Sequence, residues 1–134
     1  MAPRKSESVP IQTEEDIVAV RRIVRQFTLD LKFSLIDQTK IVTAASELAR
    51  NTLIHGGGGQ LQIECLVNGV RNGIKLTFED QGPGIANIEQ AMVDGYTTKG
   101  GMGLGLSGSK RLMNEFEIES NVGKGTRVAV TKWK

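Results

Sequence analysis

Asp80-Gln81-Gly82-Pro83-Gly84-Ile85 sets a carboxylate at the end of an alternating apolar run, beside a backbone free to turn sharply. A carboxylate in such a pocket accepts a hydrogen bond from an exocyclic amine, such as the adenine amino group. An ordinary strand-end turn residue is the competing reading of Asp80 alone. Glu47 and Asn51 lie four apart in Glu47-Leu48-Ala49-Arg50-Asn51 and stack on one side of a helix. An inward-facing Asn must be hydrogen-bonded or bind something. Its amide oxygen suits Mg²⁺, a hard cation that takes few protein ligands and completes its shell with water and phosphates. Glu47, one turn earlier, is placed to orient or deprotonate a hydroxyl nucleophile. A surface Glu–Arg pair followed by a helix-ending Asn accounts for the same spacing.

Gly100-Gly101-Met102-Gly103-Leu104-Gly105-Leu106 alternates glycines and runs into a helix, which brings backbone N–H groups and a helix N-terminus toward phosphates. It is not a Walker loop, because no Gly-Lys-Ser/Thr ends it. No parallel βαβ unit precedes it, so a dinucleotide fingerprint does not fit either. Thr97, Thr98 and Lys99 stand in the small, polar stretch before it, where they could close over a nucleotide as a lid. Gly123-Lys124-Gly125-Thr126 completes the set, with Thr126 on the strand face of Val128 and Val130. Amine acceptor, cation ligand and phosphate loop together read as one ATP site drawn from four separate places.

The elements that must hold these groups follow from periodicity. Ser8 to Gln12 reads as a short extended segment that Pro10 confines to a sheet edge. Thr13 and the acidic Glu14-Glu15-Asp16 start an amphipathic helix through Ile17, Val20, Val24, Phe27 and Leu31. A second helix is expected from about Asp37 to Ile54, closed by Gly56–Gly59. Strands over 60–67 and 74–80 then flank Asn72-Gly73 as a hairpin turn. A short helix near Ile88–Val93, a helix near Leu104–Asn114, and strands near 116–121 and 126–132 complete the chain. The order predicts a single-domain α+β sandwich over residues 1–134, with helices on one face of a mixed, mainly antiparallel sheet.

Composition removes several classes. Among 134 residues, 17 basic and 15 acidic side chains leave a net charge of +2, without the basic block or aromatic-laced basic face of a nucleic-acid binder. The single cysteine, Cys65, forms no internal disulfide, and no apolar run reaches membrane-spanning length. A cytoplasmic protein is expected. His55, the only histidine, reads as a solvated or helix-capping residue rather than a catalyst, and Trp133 as a packing or edge-covering one.

Glu47…Asn51, Asp80-x-Gly82-x-Gly84, the Gly101–Gly105 run and Gly125-Thr126 resemble the N, G1, G2 and G3 boxes of the GHKL ATPase/kinase superfamily, in order. The resemblance implies the Bergerat fold, with ATP between helices and sheet beneath a mobile lid. Glu47–Asn51, Glu79–Ile85, Asp94-Gly95-Tyr96 and Lys110–Phe116 are similar to the anti-sigma-factor serine/threonine kinase branch, specifically its stressosome switch kinases. The Phe-x-Pro-Phe element of histidine kinases is replaced by Asp94-Gly95-Tyr96-Thr97-Thr98, and neither a transducer segment nor a phosphoacceptor helix is expected. Gly103-Leu104-Gly105-Leu106-Ser107 departs from that branch toward histidine kinases.

By position the resemblance implies Glu47 as the catalytic group, Asn51 for Mg²⁺ and Asp80 for adenine. Gly82, Gly84 and Ile85 would shape the adenine pocket, and Thr126 would support Asp80. Thr98, Lys99, Gly100, Gly101, Met102, Gly103, Leu104, Gly105 and Leu106 would surround the phosphates, with Arg50 and Lys99 as further charge-stabilising candidates. The implied partners are STAS-domain substrates and a PP2C-type phosphatase. A detached histidine-kinase catalytic domain and an ATP-gated binding module are the rival classes.

Overall fold

Thr13 and Asp16 begin the first helix by capping each other. The Asp16 N–H donates to Thr13 Oγ1 at 3.2 Å, while the Asp16 carboxylate accepts from the backbone of Thr13 (3.1 Å) and Gln12 (2.7 Å). This capping box and the acidic first turn start α1 (Glu14–Asp30), whose buried side is Ile17, Val20, Val24, Phe27 and Thr28. In the computed structural model, residues 6–85, Met92 and 105–134 are described. The chain leaves α1 through Lys32 in the left-handed region (φ 63°). Ser34 then caps α2 (Leu35–Ile54) by accepting from the Asp37 N–H at 3.1 Å.

The second helix therefore starts at Leu35, ahead of the expected Asp37. Leu35 and Ile36 are 72% and 70% exposed, so its first turn lies off the core and carries no apolar periodicity. Beyond it, Ile41, Ala44, Ala45, Leu48 and Ala49 are buried, their small side chains letting α2 lie close to its neighbours.

Five strands form the sheet: β1 (Ser6–Ile11), β2 (Gly59–Asn68), β3 (Arg71–Asp80), β4 (Glu115–Asn121) and β5 (Gly125–Trp133). Their order is β1-β2-β3-β5-β4, and all four pairings are antiparallel, so the sheet is less mixed than expected. Pro10 lies on the edge strand β1, where its missing N–H costs no ladder bond. A further helix, α3 (Gly105–Leu112), packs against α2. The expected helix near Ile88–Val93 lies outside the described residues apart from Met92, which packs against the core.

The hairpin turn between β2 and β3 differs from expectation. Asn68 pairs with Arg71, so Gly69 and Val70 make the turn, with Gly69 at φ 65°. A glycine first in a two-residue loop suits the twist of a hairpin. Gly73 instead lies within β3, opposite Trp133, where an added Cβ would meet the indole ring at 2.6 Å. Asn72-Gly73 is thus a strand pair under an aromatic cover.

Period-two alternation sets Leu61, Ile63, Ile74, Leu76, Phe78, Val128 and Val130 on the helix-facing side, all buried with the inner faces of α1 and α2. Lys132 shares that side at 9% exposure, and its Nζ lies 3.9 Å from Asp37 Oδ1 in the first turn of α2. Among the described residues, no helix is long and apolar enough to cross a membrane.

Candidate nucleotide site

Asp80 ends β3 where the alternation of Ile74, Leu76 and Phe78 turns its side chain toward the helices. One carboxylate oxygen, Oδ1, accepts the N–H of Gly82 at 2.9 Å and the N–H of Thr126 at 3.2 Å. The expected support from Thr126 therefore comes directly through its backbone. Two N–H donors fix the carboxylate plane and leave Oδ2 as the oxygen with acceptor capacity to spare.

The end of α2 closes on this carboxylate. His55 caps the helix, and Gly56 follows with its Cα against Asp80, where an added Cβ would overlap the carboxylate. Gly82 comes equally close to the Gly56 backbone, its own virtual Cβ meeting Gly56 Cα and O at 2.7 Å. Only two glycines allow these two turns to touch. Gly84 in turn lies against Asn121, and the Pro83 carbonyl accepts the Gly123 N–H at 2.8 Å. The Gly82–Ile85 loop is thereby clasped between the end of α2 and the β4–β5 turn. Ile85 is half-buried, and its N–H donates to Ser120 Oγ at 2.7 Å.

Along α2, Glu47 and Asn51 occupy successive turns. Glu47 is 9% exposed, and among the described residues no hydrogen bond or ion pair uses its carboxylate. Asn51 is half-buried; its backbone carbonyl accepts from His55 and Gly56, and no described bond uses its side-chain amide. Arg50 does not pair with Glu47. Its guanidinium lies 3.8 Å from the Glu14 carboxylate, at the start of α1.

A lone neutral amide oxygen cannot by itself retain a divalent cation, and among the described residues no cluster of three His, Cys, Asp or Glu side chains forms. That donor set fits Mg²⁺ delivered on a polyphosphate, which needs few protein ligands.

Thr98, Lys99, Gly100, Gly101, Met102, Gly103 and Leu104 lie outside the described residues, as does the expected lid. Gly105 opens α3, and Leu106 is buried in its first turn as part of the core.

Residues 36–134 match the family of histidine kinase-, DNA gyrase B- and HSP90-like ATPases. The chain belongs to this family. Within it, the chain is 48% identical over 125 residues to the serine/threonine-protein kinase RsbT of Bacillus subtilis, covering 93% of this chain and 94% of that one. An anti-sigma F factor of Thermoanaerobacter sp. is 36% identical over 118 residues, covering 84% and 82% respectively.

Two solved structures share the ATPase fold. The RsbU and RsbW domains of a Mycobacterium tuberculosis protein superpose with a TM-score of 0.67 at 19% identity, over 99% of this chain and 33% of that longer one. The mycobacterial sensor histidine kinase MprB gives 0.57 at 17%, over 96% and 97%.

Two residues of this ATPase-family site escaped the sequence reading. Gly56 was visible only as a helix-ending glycine, and its contact with Asp80 depends on where the α2 axis meets β3. Ser120 lies in an acidic strand with nothing to mark it. Register alone brings it opposite Thr126.

Proposed function

We propose that this protein is a partner-switching kinase that phosphorylates serine or threonine on STAS-domain regulators and, once released, binds a PP2C-type phosphatase. It is an ATP-using serine/threonine kinase of the GHKL type, and the strong similarity to RsbT along nearly the whole of both chains supports that reading. The observation that carries the mechanism is the pair Glu47 and Asn51, on one side of α2 and ahead of Asp80, whose side chains no hydrogen bond or ion pair among the described residues engages.

Bound ATP with Mg²⁺ supplies the phosphoryl group and the neutralisation of its charge. Asp80 offers Oδ2 to the adenine amine, with Gly82 and Thr126 holding the carboxylate in place. The Asn51 amide oxygen would be the protein's ligand to that cation. Glu47 accepts the proton of the incoming hydroxyl, a role that suits a buried carboxylate to which the described residues offer no cation.

The test is phosphate transfer from labelled ATP, with Mg²⁺, to a STAS protein encoded nearby. An acid-stable labelled product is expected, as phosphoserine or phosphothreonine. An acid-labile product would instead move the reading to a detached histidine-kinase catalytic domain, and tight ATP binding without transfer to an ATP-gated binding module.

A further inference from the structure

We propose that Ser120 sets the hydrogen-bonding polarity of the base pocket, making Thr126 an acceptor and thereby selecting a base that carries an amino group. The proposal rests on the assignment of Asp80 to the base end of the nucleotide.

Three polar atoms surround Ser120 Oγ. The Ile85 N–H donates to it at 2.7 Å, the Gly125 carbonyl lies 3.2 Å away, and Thr126 Oγ1 lies 2.8 Å away. A hydroxyl has one proton to give and two lone pairs to receive with. The carbonyl of Gly125 can only accept and the N–H of Ile85 can only donate. One arrangement satisfies all three neighbours: Ser120 gives its proton to Gly125, and receives from both Ile85 and Thr126. The Thr126 proton is then committed to Ser120, and the oxygen it leaves behind offers lone pairs alone.

Thr126 stands beside Asp80, its own N–H bonded to the carboxylate, on the helix-facing side of β5. On this assignment the base end meets two oxygens of one kind, Asp80 Oδ2 and Thr126 Oγ1, both acceptors. An amino group, directly or through a shared water, satisfies them; a ring carbonyl at the same position faces lone pairs and is rejected. A buried mismatch of that sort discriminates strongly because the polar group is left unpaired. Ser120 touches no base itself and acts as a positioning residue.

The probe pair is ATP and inosine triphosphate, in which a carbonyl replaces the adenine amine. Binding of each is measured by calorimetry with the whole chain. Ser120→Ala releases the Thr126 proton, which can then turn toward the base. The ATP-over-inosine-triphosphate preference is expected to fall about five- to tenfold, the equivalent of one neutral hydrogen bond. Ser120→Thr keeps the hydroxyl and should keep the preference. Should Ser120→Ala fail to fold, Ser120→Cys preserves volume with a weak sulfur partner and is read the same way.

Asp80→Asn is the control on the underlying assignment, since it puts a donor beside the base and should shift the preference toward inosine triphosphate. If Asp80→Asn leaves the preference unchanged, the base end lies elsewhere and the adenine assignment fails. If Asp80→Asn shifts it while Ser120→Ala and Ser120→Cys do not, the assignment stands and the role of Ser120 is overturned.

Discussion

Glu47 illustrates how burial and chemistry separate at the level of one side chain. A carboxylate at 9% exposure ordinarily has a cation or N–H donors, yet the nearest basic residue on its helix, Arg50, pairs with Glu14 instead. Acceptor capacity that the described residues leave open at that depth suits a group that receives a proton during turnover. Glu47→Gln keeps the shape and removes the basicity. Affinity for ATP is expected to stay near wild type while phosphorylation of the partner falls on the order of 10²- to 10⁴-fold, the usual worth of a general base. Calorimetry alongside a single-turnover transfer assay separates the two, and transfer at the normal rate would reduce Glu47 to a structural residue. The same carboxylate was visible in the sequence because its spacing from Asn51 is a purely local matter of helix geometry. Asp80 was legible for a similar reason, since alternation along one strand fixes the face it takes.

At the level of elements, stability and site geometry rest on different termini. The N-terminal capping box of α1 satisfies backbone donors that would otherwise be orphaned, and it follows β1, two strands across the sheet from Asp80. Thr13→Ala is expected to lower unfolding free energy by about 1 kcal/mol in a urea titration. ATP affinity should be unchanged, and a large loss of binding would mean that α1 couples to the pocket through Arg50 and Glu14. Periodicity found both long helices, the order of all described elements and the edge position of β1. It failed where packing between elements decides. Asn72-Gly73 has the composition of a hairpin turn, but the indole of Trp133 requires a glycine beneath it, and the true turn three residues earlier carries an unremarkable valine. The first turn of α2 was hidden because Leu35 and Ile36 face solvent, against the usual pattern. Gly56 and Ser120 were illegible on the same ground: each acts across 24 to 35 residues of sequence, through contacts that only the assembled sheet creates.

For the whole molecule, the proposed switch demands that a partner leave after it has been modified. Phosphate adds roughly two negative charges to the partner. Near the α2 terminus the incoming surface would already face Glu47, and a second anion there is repelled. The kinase is expected to bind the unmodified form of a STAS partner about tenfold or more tightly than the phosphorylated one, since a desolvated like-charge contact costs at least 1.4 kcal/mol. Equal affinities in a direct binding titration would refute switching even with transfer intact. The edges of the sheet bear on which surfaces such partners can use. On β4, Phe116 and Ile118 point inward while Glu115, Glu117 and Glu119 line the outer face of the outermost strand; at the opposite margin β1 carries Pro10. Charged side chains along β4, one of them paired with Arg127, and a missing N–H on β1 both discourage a foreign strand from zipping alongside. Repeated capture and release of other proteins exposes a chain to runaway strand-to-strand aggregation. With both margins guarded in this way, reversible traffic is steered onto the helices and loops, and the sheet is kept from becoming a template for fibres.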